Sequence, residues 1–164
     1  MIPPVQLPDA AKKVQGATEH FFRKIKKQKP KDLDVQMQQL HEDVFENIDC
    51  LTCANCCKTT SPIFYQKDIE RASKKLRLSP QQFIEKYLHV DADKDYVLNS
   101  APCPFLDGDN YCQIYADRPN ACREYPHTDR KRFFQITDLT LKNTFICPAA
   151  FEIVERLKKV YTKI

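Results

Sequence analysis

The run Cys50-Leu51-Thr52-Cys53-Ala54-Asn55-Cys56-Cys57 places four thiols in eight residues. A Cys-x2-Cys pair sets two thiolates on one side of a tight turn, where they suit a single metal ion or a cluster. Cysteines at 50, 53 and 56 repeat the opening of the bacterial ferredoxin run C-x2-C-x2-C-x3-C-P, but Thr60 stands where its fourth cysteine belongs. Thr60 also breaks the C-x3-C-x2-C pattern of radical S-adenosylmethionine enzymes, which Cys53 and Cys57 would begin. Neighbouring side chains diverge in most backbone conformations. Cys56 and Cys57 therefore suit two ions, or one polynuclear cluster, better than one small ion. Four further cysteines stand singly at Cys103, Cys112, Cys122 and Cys147. Cys103 and Cys147 each precede a proline, as the distant ligand of a ferredoxin run does. An isolated cysteine is otherwise a small buried hydrophobe. Four clustered and four distributed thiols are enough for two four-cysteine sites, so all eight are expected as ligands of zinc or of an iron–sulfur cluster such as 4Fe-4S. Cysteine-only coordination serves both metals.

Other soft ligands are few. His20 and His41 fall on predicted helices, far in sequence from the cysteines, and are expected at the surface; His89 is a further candidate. His127, five residues after Cys122, is either a ligand or proton donor or a solvent-facing loop residue. Arg118 and Arg123 flank Cys122. They would either neutralise thiolate charge or form ion pairs with Asp117 and Glu124. Tyr125 reads as a packing residue. With Gly16 and Gly108 the only glycines, there is no Gly-rich loop to cradle a nucleotide, which excludes Rossmann and P-loop sites.

These residues, taken in order, carry a resemblance. The run Cys50–Cys57 is followed by Cys103-Pro104-Phe105-Leu106, then Cys112-Gln113-Ile114-Tyr115, then Arg118-Pro119-Asn120-Ala121-Cys122 and Tyr125-Pro126. This order resembles the YkgJ-like family of CxxCxxCC cysteine-cluster proteins with a zinc- or iron-chelating domain, over roughly residues 50 to 148. The resemblance implies metal binding and leaves the biochemical role unassigned. Some members are labelled iron–sulfur oxidoreductases. A related pattern occurs in the longer flagellin lysine N-methylases, whose activity does not carry over to this chain.

The 164 residues are the length of one ordinary domain, and 42% hydrophobic with 29% charged residues is the balance of a folded globular protein. No apolar run reaches the roughly 18 residues that span a bilayer. The first eight residues lack the features of a signal peptide. The expectation is a cytoplasmic chain with reduced thiols, in which cysteines do metal or redox chemistry. The formal charge is +4, with the excess concentrated in runs such as Arg23–Lys29. Those lysines read as a solvated helix end rather than a nucleic-acid or membrane surface. Eight thiolates with two divalent ions would bring the total to zero.

The elements that must position these thiols are mostly helical. Asp9 is expected to cap a first helix carrying Val14, Ala17, Phe21 and Ile25 up to Pro30, with Gly16 inside it. A second should run from Asp32 to Ile48 and pair with the first as a hairpin. Ile69, Ala72 and Leu76 share the face of another helix. Ser79-Pro80-Gln81-Gln82 starts a further helix, carrying Phe83 to Leu88, with a capping box. Tyr96–Leu98 reads as a strand, Asp107–Asn110 as the turn of a hairpin, and Arg118–Tyr125 as a short helix. Lys131–Ile146 reads as strand and loop, and a last amphipathic helix carries Ala150 to Tyr161. The expected fold is mainly α with a small β element (α+β), one domain stapled by metal. It divides into an N-terminal helical segment (1–49), a cysteine-cluster metal-binding domain (50–148) and a C-terminal helix (149–164). Three functions fit this reading: a cysteine-rich metal-binding protein, an iron–sulfur-dependent oxidoreductase or protein-modifying enzyme, and a metal-stabilised interaction module. In the last, the N-terminal helices would meet a protein partner.

Overall fold

In the computed structural model, which describes residues 2–162, the chain is mainly helical with one small sheet. Met1, Lys163 and Ile164, at the ends of the expected segments, lie outside the described residues. The helices in chain order are α1 (Leu7–Gln28), α2 (Leu33–Phe45), α3 (Cys50–Cys53), α4 (Asn55–Thr59), α5 (Gln66–Lys75) and α6 (Pro80–Tyr87). They continue with α7 (Asn120–Glu124), α8 (Thr137–Asn143) and α9 (Pro148–Val160). The strands are β1 (Ile63–Phe64), β2 (Leu88–Val90) and β3 (Tyr96–Leu98). Contacts group the chain into two compact units. One runs up to Asp49 and resumes at Pro126, and the other is Cys50–Tyr125. Among the described residues no helix is long and apolar enough to cross a membrane.

The first unit is a helical body. α1 begins before the expected cap at Asp9 because Pro8 sits in its first turn, where a missing N–H costs nothing. Asp9 instead lies inside that turn, its charge favourable to the helix dipole. Lys29 ends α1 in the left-handed region at φ 45°, just ahead of Pro30. Two of the basic residues near this end have intramolecular partners: Lys26 Nζ pairs with Asp138 at 2.7 Å, and the Lys29 ammonium lies over the Phe134 ring. α2 buries Leu33, Met37 and Val44 and stops at Phe45, short of Ile48. It packs along α9, while α1 packs on α8 and α9. Phe21, Phe22 and Ile25 of α1, Met37 and Val44 of α2, Phe133, and Ile153, Val154 and Leu157 of α9 form one core.

Residues 131–146, expected as strand and loop, are helical instead: a 3-10 turn at Phe133–Gln135 leads into α8. Threonines hid the pattern. Thr137, Thr140 and Asn143 are buried at helical spacing, and the Thr140 hydroxyl donates to the Ile136 carbonyl one turn back, at 3.0 Å. A buried hydroxyl satisfied within its own helix can occupy an apolar face.

The second unit carries the sheet, in the order β1-β3-β2 with both pairings antiparallel. The capping box holds as expected: Ser79 Oγ accepts the Gln82 N–H, and the Gln82 side chain accepts that of Ser79. α6 ends a residue early, and Leu88 opens β2 opposite Leu98. Phe64, Ile69, Ala72, Phe83, Leu88, Leu98, Phe105 and Ile114 make the core. The Phe83 and Phe105 rings are stacked at 5.9 Å. The expected hairpin around Asp107–Asn110 is reduced to one bridge, Leu106 to Cys112.

Candidate metal centre

The CxxCxxCC run folds as two short helices with a joint between them. α3 carries Cys50 and Cys53, one helical turn apart, and α4 carries Cys56 and Cys57. Ala54 makes the joint in the left-handed region at φ 48° and ψ 17°, buried to 4% exposure. Its N–H donates to the Cys50 carbonyl at 2.9 Å, closing α3. At the other end the Thr60 N–H and hydroxyl both donate to the Cys56 carbonyl, closing α4.

Apolar residues beside the three solitary cysteines of this unit anchor their loops. Cys103 is followed by Pro104 and by Phe105, buried among Phe83 and Tyr87. The Cys103 N–H donates to the Cys57 carbonyl at 2.8 Å, which joins this loop to α4. Cys112 lies two residues before the fully buried Ile114. The turn before it is built on Asp107 Oδ1, which accepts the N–H groups of Asp109 and Tyr111. Asn110 ties that turn to α3 through the Thr52 carbonyl at 3.4 Å. Cys122 sits in α7, its N–H on the carbonyl of the buried Pro119 at 2.9 Å.

These four thiols feel one another. The Cys57 pKa is lowered to about 7, chiefly by a hydrogen bond from the Cys56 side chain; burial opposes this and Lys58 assists. Burial pushes Cys103 up to about 11 and also raises Cys112. Cys122 is pushed up to about 12, first by burial and then by the negative charges of Cys57, Cys103 and Cys112. The thiols of Cys57, Cys103, Cys112 and Cys122, on four separate chain segments, thus lie within electrostatic reach of one another. Arg118 works in the opposite sense at Cys112 and Cys122.

The other predicted residues are placed differently. Cys50 is exposed and Cys53 half-buried, both on α3. Cys147 belongs to the other unit, where it caps α9: its sulfur accepts the Ala150 N–H at 3.5 Å. His127 also lies there, in the left-handed region at φ 66°. His20 is exposed, as expected, and His89 is exposed with Nδ1 3.1 Å from Asn99 Oδ1. His41 is less exposed than expected. It is half-buried against Phe45, with Nδ1 2.8 Å from the hydroxyl of the buried Thr128. Arg118 lies over the Tyr115 ring and donates to its carbonyl, and Arg123 donates to the carbonyls of Arg118 and Ala116. Two residues of α5 that cysteine spacing does not single out, Asp68 and Arg71, hold the segment leading to Cys122. Their only sequence signal is an acid in the first turn of a helix.

Four half-buried thiols are a donor set that fits zinc or iron. The fit is one of donor chemistry and placement. Among the described residues no three His, Cys, Asp or Glu side chains already stand in a metal-holding arrangement.

A family model, CxxCxxCC, described as "Putative zinc- or iron-chelating domain", matches residues 49–147. The matched range contains all eight cysteines. The chain matches no curated protein and no solved structure.

Proposed function

Because the chain belongs to the CxxCxxCC family, we propose that it binds zinc or iron through its cysteines, with Cys57, Cys103, Cys112 and Cys122 as the principal ligands. The observation that carries this reading is that α4, two loops and α7 deliver four half-buried thiols within electrostatic reach of one another, with the Cys103 N–H bonded to the Cys57 carbonyl at 2.8 Å. Soft thiolates select zinc and iron–sulfur clusters over hard cations. Bound zinc would fasten the segments together, whereas a cluster would add one-electron chemistry. Cys56 supports Cys57 by hydrogen bonding to it and, with Cys50 and Cys53 on the adjoining α3, offers donors for a second ion or a polynuclear cluster. Cys147 is the eighth candidate; the N–H bond its sulfur accepts from Ala150 is compatible with ligation. Arg118 offsets thiolate charge, which would otherwise accumulate as ligands ionise.

The test is anaerobic purification followed by metal and sulfide analysis and a visible spectrum on one sample. One or two zinc ions per chain and no colour would identify a zinc domain, structural or hydrolytic. About four irons with matching sulfide and visible absorption would identify a cluster. A chain that retains neither metal, and takes up neither when supplied, overturns the proposal.

A further inference from the structure

We propose that Asp68 is a positioning residue of this site, acting with Arg71 through the backbone of residues 118–122 and so fixing where Cys122 stands. The inference rests on the reading of Cys122 as a ligand. Asp68 is only 1% exposed, and a carboxylate so buried persists only where its oxygens are well partnered. Oδ2 accepts the Tyr65 N–H at 3.1 Å, which anchors the start of α5. Oδ1 accepts Arg71 Nη2 at 2.7 Å and the Asn120 N–H at 3.2 Å. The same Arg71 nitrogen donates to the Arg118 carbonyl at 3.0 Å.

One acid and one guanidinium thus grip both ends of Arg118-Pro119-Asn120. The carbonyl between them, that of Pro119, accepts the Cys122 N–H. The path from α5 to Cys122 runs through two bonds from the Asp68 and Arg71 side chains to the backbone of residues 118–120, and one backbone bond from there to Cys122. Arg118, held by the same grip, has its side chain over the Tyr115 ring, and its charge acts on Cys112 and Cys122.

The pair is buried on the carboxylate side only, Arg71 being 34% exposed, and the best-attested use of such an inward-facing charge is to specify one geometry among several. The residues that orient metal ligands from behind typically matter 10–100-fold in affinity without touching the metal. Asp68 and Arg71 have the connections of such a shell, although 52 residues of sequence separate Asp68 from Asn120.

The test uses the full chain, stripped of metal anaerobically and titrated with Co2+, whose thiolate charge-transfer absorption reports how many cysteines bind. Chelator competition gives the affinity. Asp68→Asn is expected to bind Co2+ about 10–100-fold more weakly, with less charge-transfer absorption per ion and unchanged helical circular dichroism. Cys122→Ser should show a comparable loss, and adding D68N to it should cost no more than about a further twofold, as for two residues acting through one contact. If D68N does not fold, Arg71→Met decides, because methionine keeps an unbranched side chain but removes the nitrogen that donates to both Asp68 and the Arg118 carbonyl; the same loss is expected. Co2+ affinity and absorption within about twofold of wild type overturn the inference, as does an undiminished D68N effect in the C122S background. A wild-type chain that takes up no Co2+, zinc or iron overturns the metal reading itself, which is a separate failure.

Discussion

Cysteines with the same side chain titrate in opposite directions within this unit. Cys57 is drawn down to about 7 by its bond with Cys56, while burial lifts Cys103 to about 11 and Cys122 to about 12. At neutral pH the last two are therefore protonated, and a metal must displace their protons to bind. The sign follows directly: affinity rises with pH and acid releases the metal. Each displaced proton is worth about tenfold in affinity per pH unit. Cys103 and Cys122 together should give at least about 100-fold per unit between about pH 6 and 8. Competition with a chelator of known pH dependence measures this, and a flat profile would exclude these two thiols as ligands. The residue types were plain in the sequence, but the grouping was not. Cys50, Cys53, Cys56 and Cys57 are neighbours along the chain, yet it is Cys57 whose charge acts on Cys103, Cys112 and Cys122. Spacing within a run fixes only local geometry. Which distant thiols meet depends on where Phe105, Ile114 and Pro119 are buried, and those anchors read as ordinary apolar residues.

At the scale of elements, the joint between α3 and α4 is the most demanding point of the cysteine run. Ala54 holds the left-handed region at φ 48° while buried, a conformation that costs a non-glycine residue roughly 1 kcal/mol. Ala54→Gly would remove that cost but make the unfolded chain more flexible by a similar amount. The melting temperature and metal content of A54G should stay close to wild type. Ala54→Val places a β-branched side chain where φ is positive and should destabilise by at least about 1–2 kcal/mol, with loss of metal. A thermal melt and metal analysis of both variants check this, and a valine variant as stable as wild type would mean the joint is not so constrained. The long helices and the Ser79 capping box were legible because apolar spacing and capping chemistry are local. α8 was not, since its buried face is built of threonine and asparagine. Leu88 reads as helix for a related reason: a strand of three residues is too short to show alternation, and its place in β2 follows from its pairing with Leu98.

The two units differ in what holds them, and this bears on what the metal does for the whole molecule. The helical unit has long helices and a core shared by α1, α2 and α9. The cysteine unit has strands of two or three residues around a small aromatic core, with its thiol-bearing segments in loops and one short helix. Short strands and loops of this kind open easily when nothing fastens them. If thiolate–metal bonds are the fastening, binding energy becomes folding energy for residues 50–125 and not for the helical body. Anaerobic chelation followed by amide hydrogen exchange should therefore raise exchange in the segments around Cys103, Cys112 and Cys122, while α1, α2 and α9 keep their protection. Phe105→Ala approaches the same segments from the packing side. It should cost about 3–5 kcal/mol and lower metal content together with stability. Protection that falls equally throughout would mean the two units unfold as one. Protection that does not change on chelation would mean that the core around Phe64, Phe83 and Phe105 suffices alone, and that bound metal serves chemistry rather than structure.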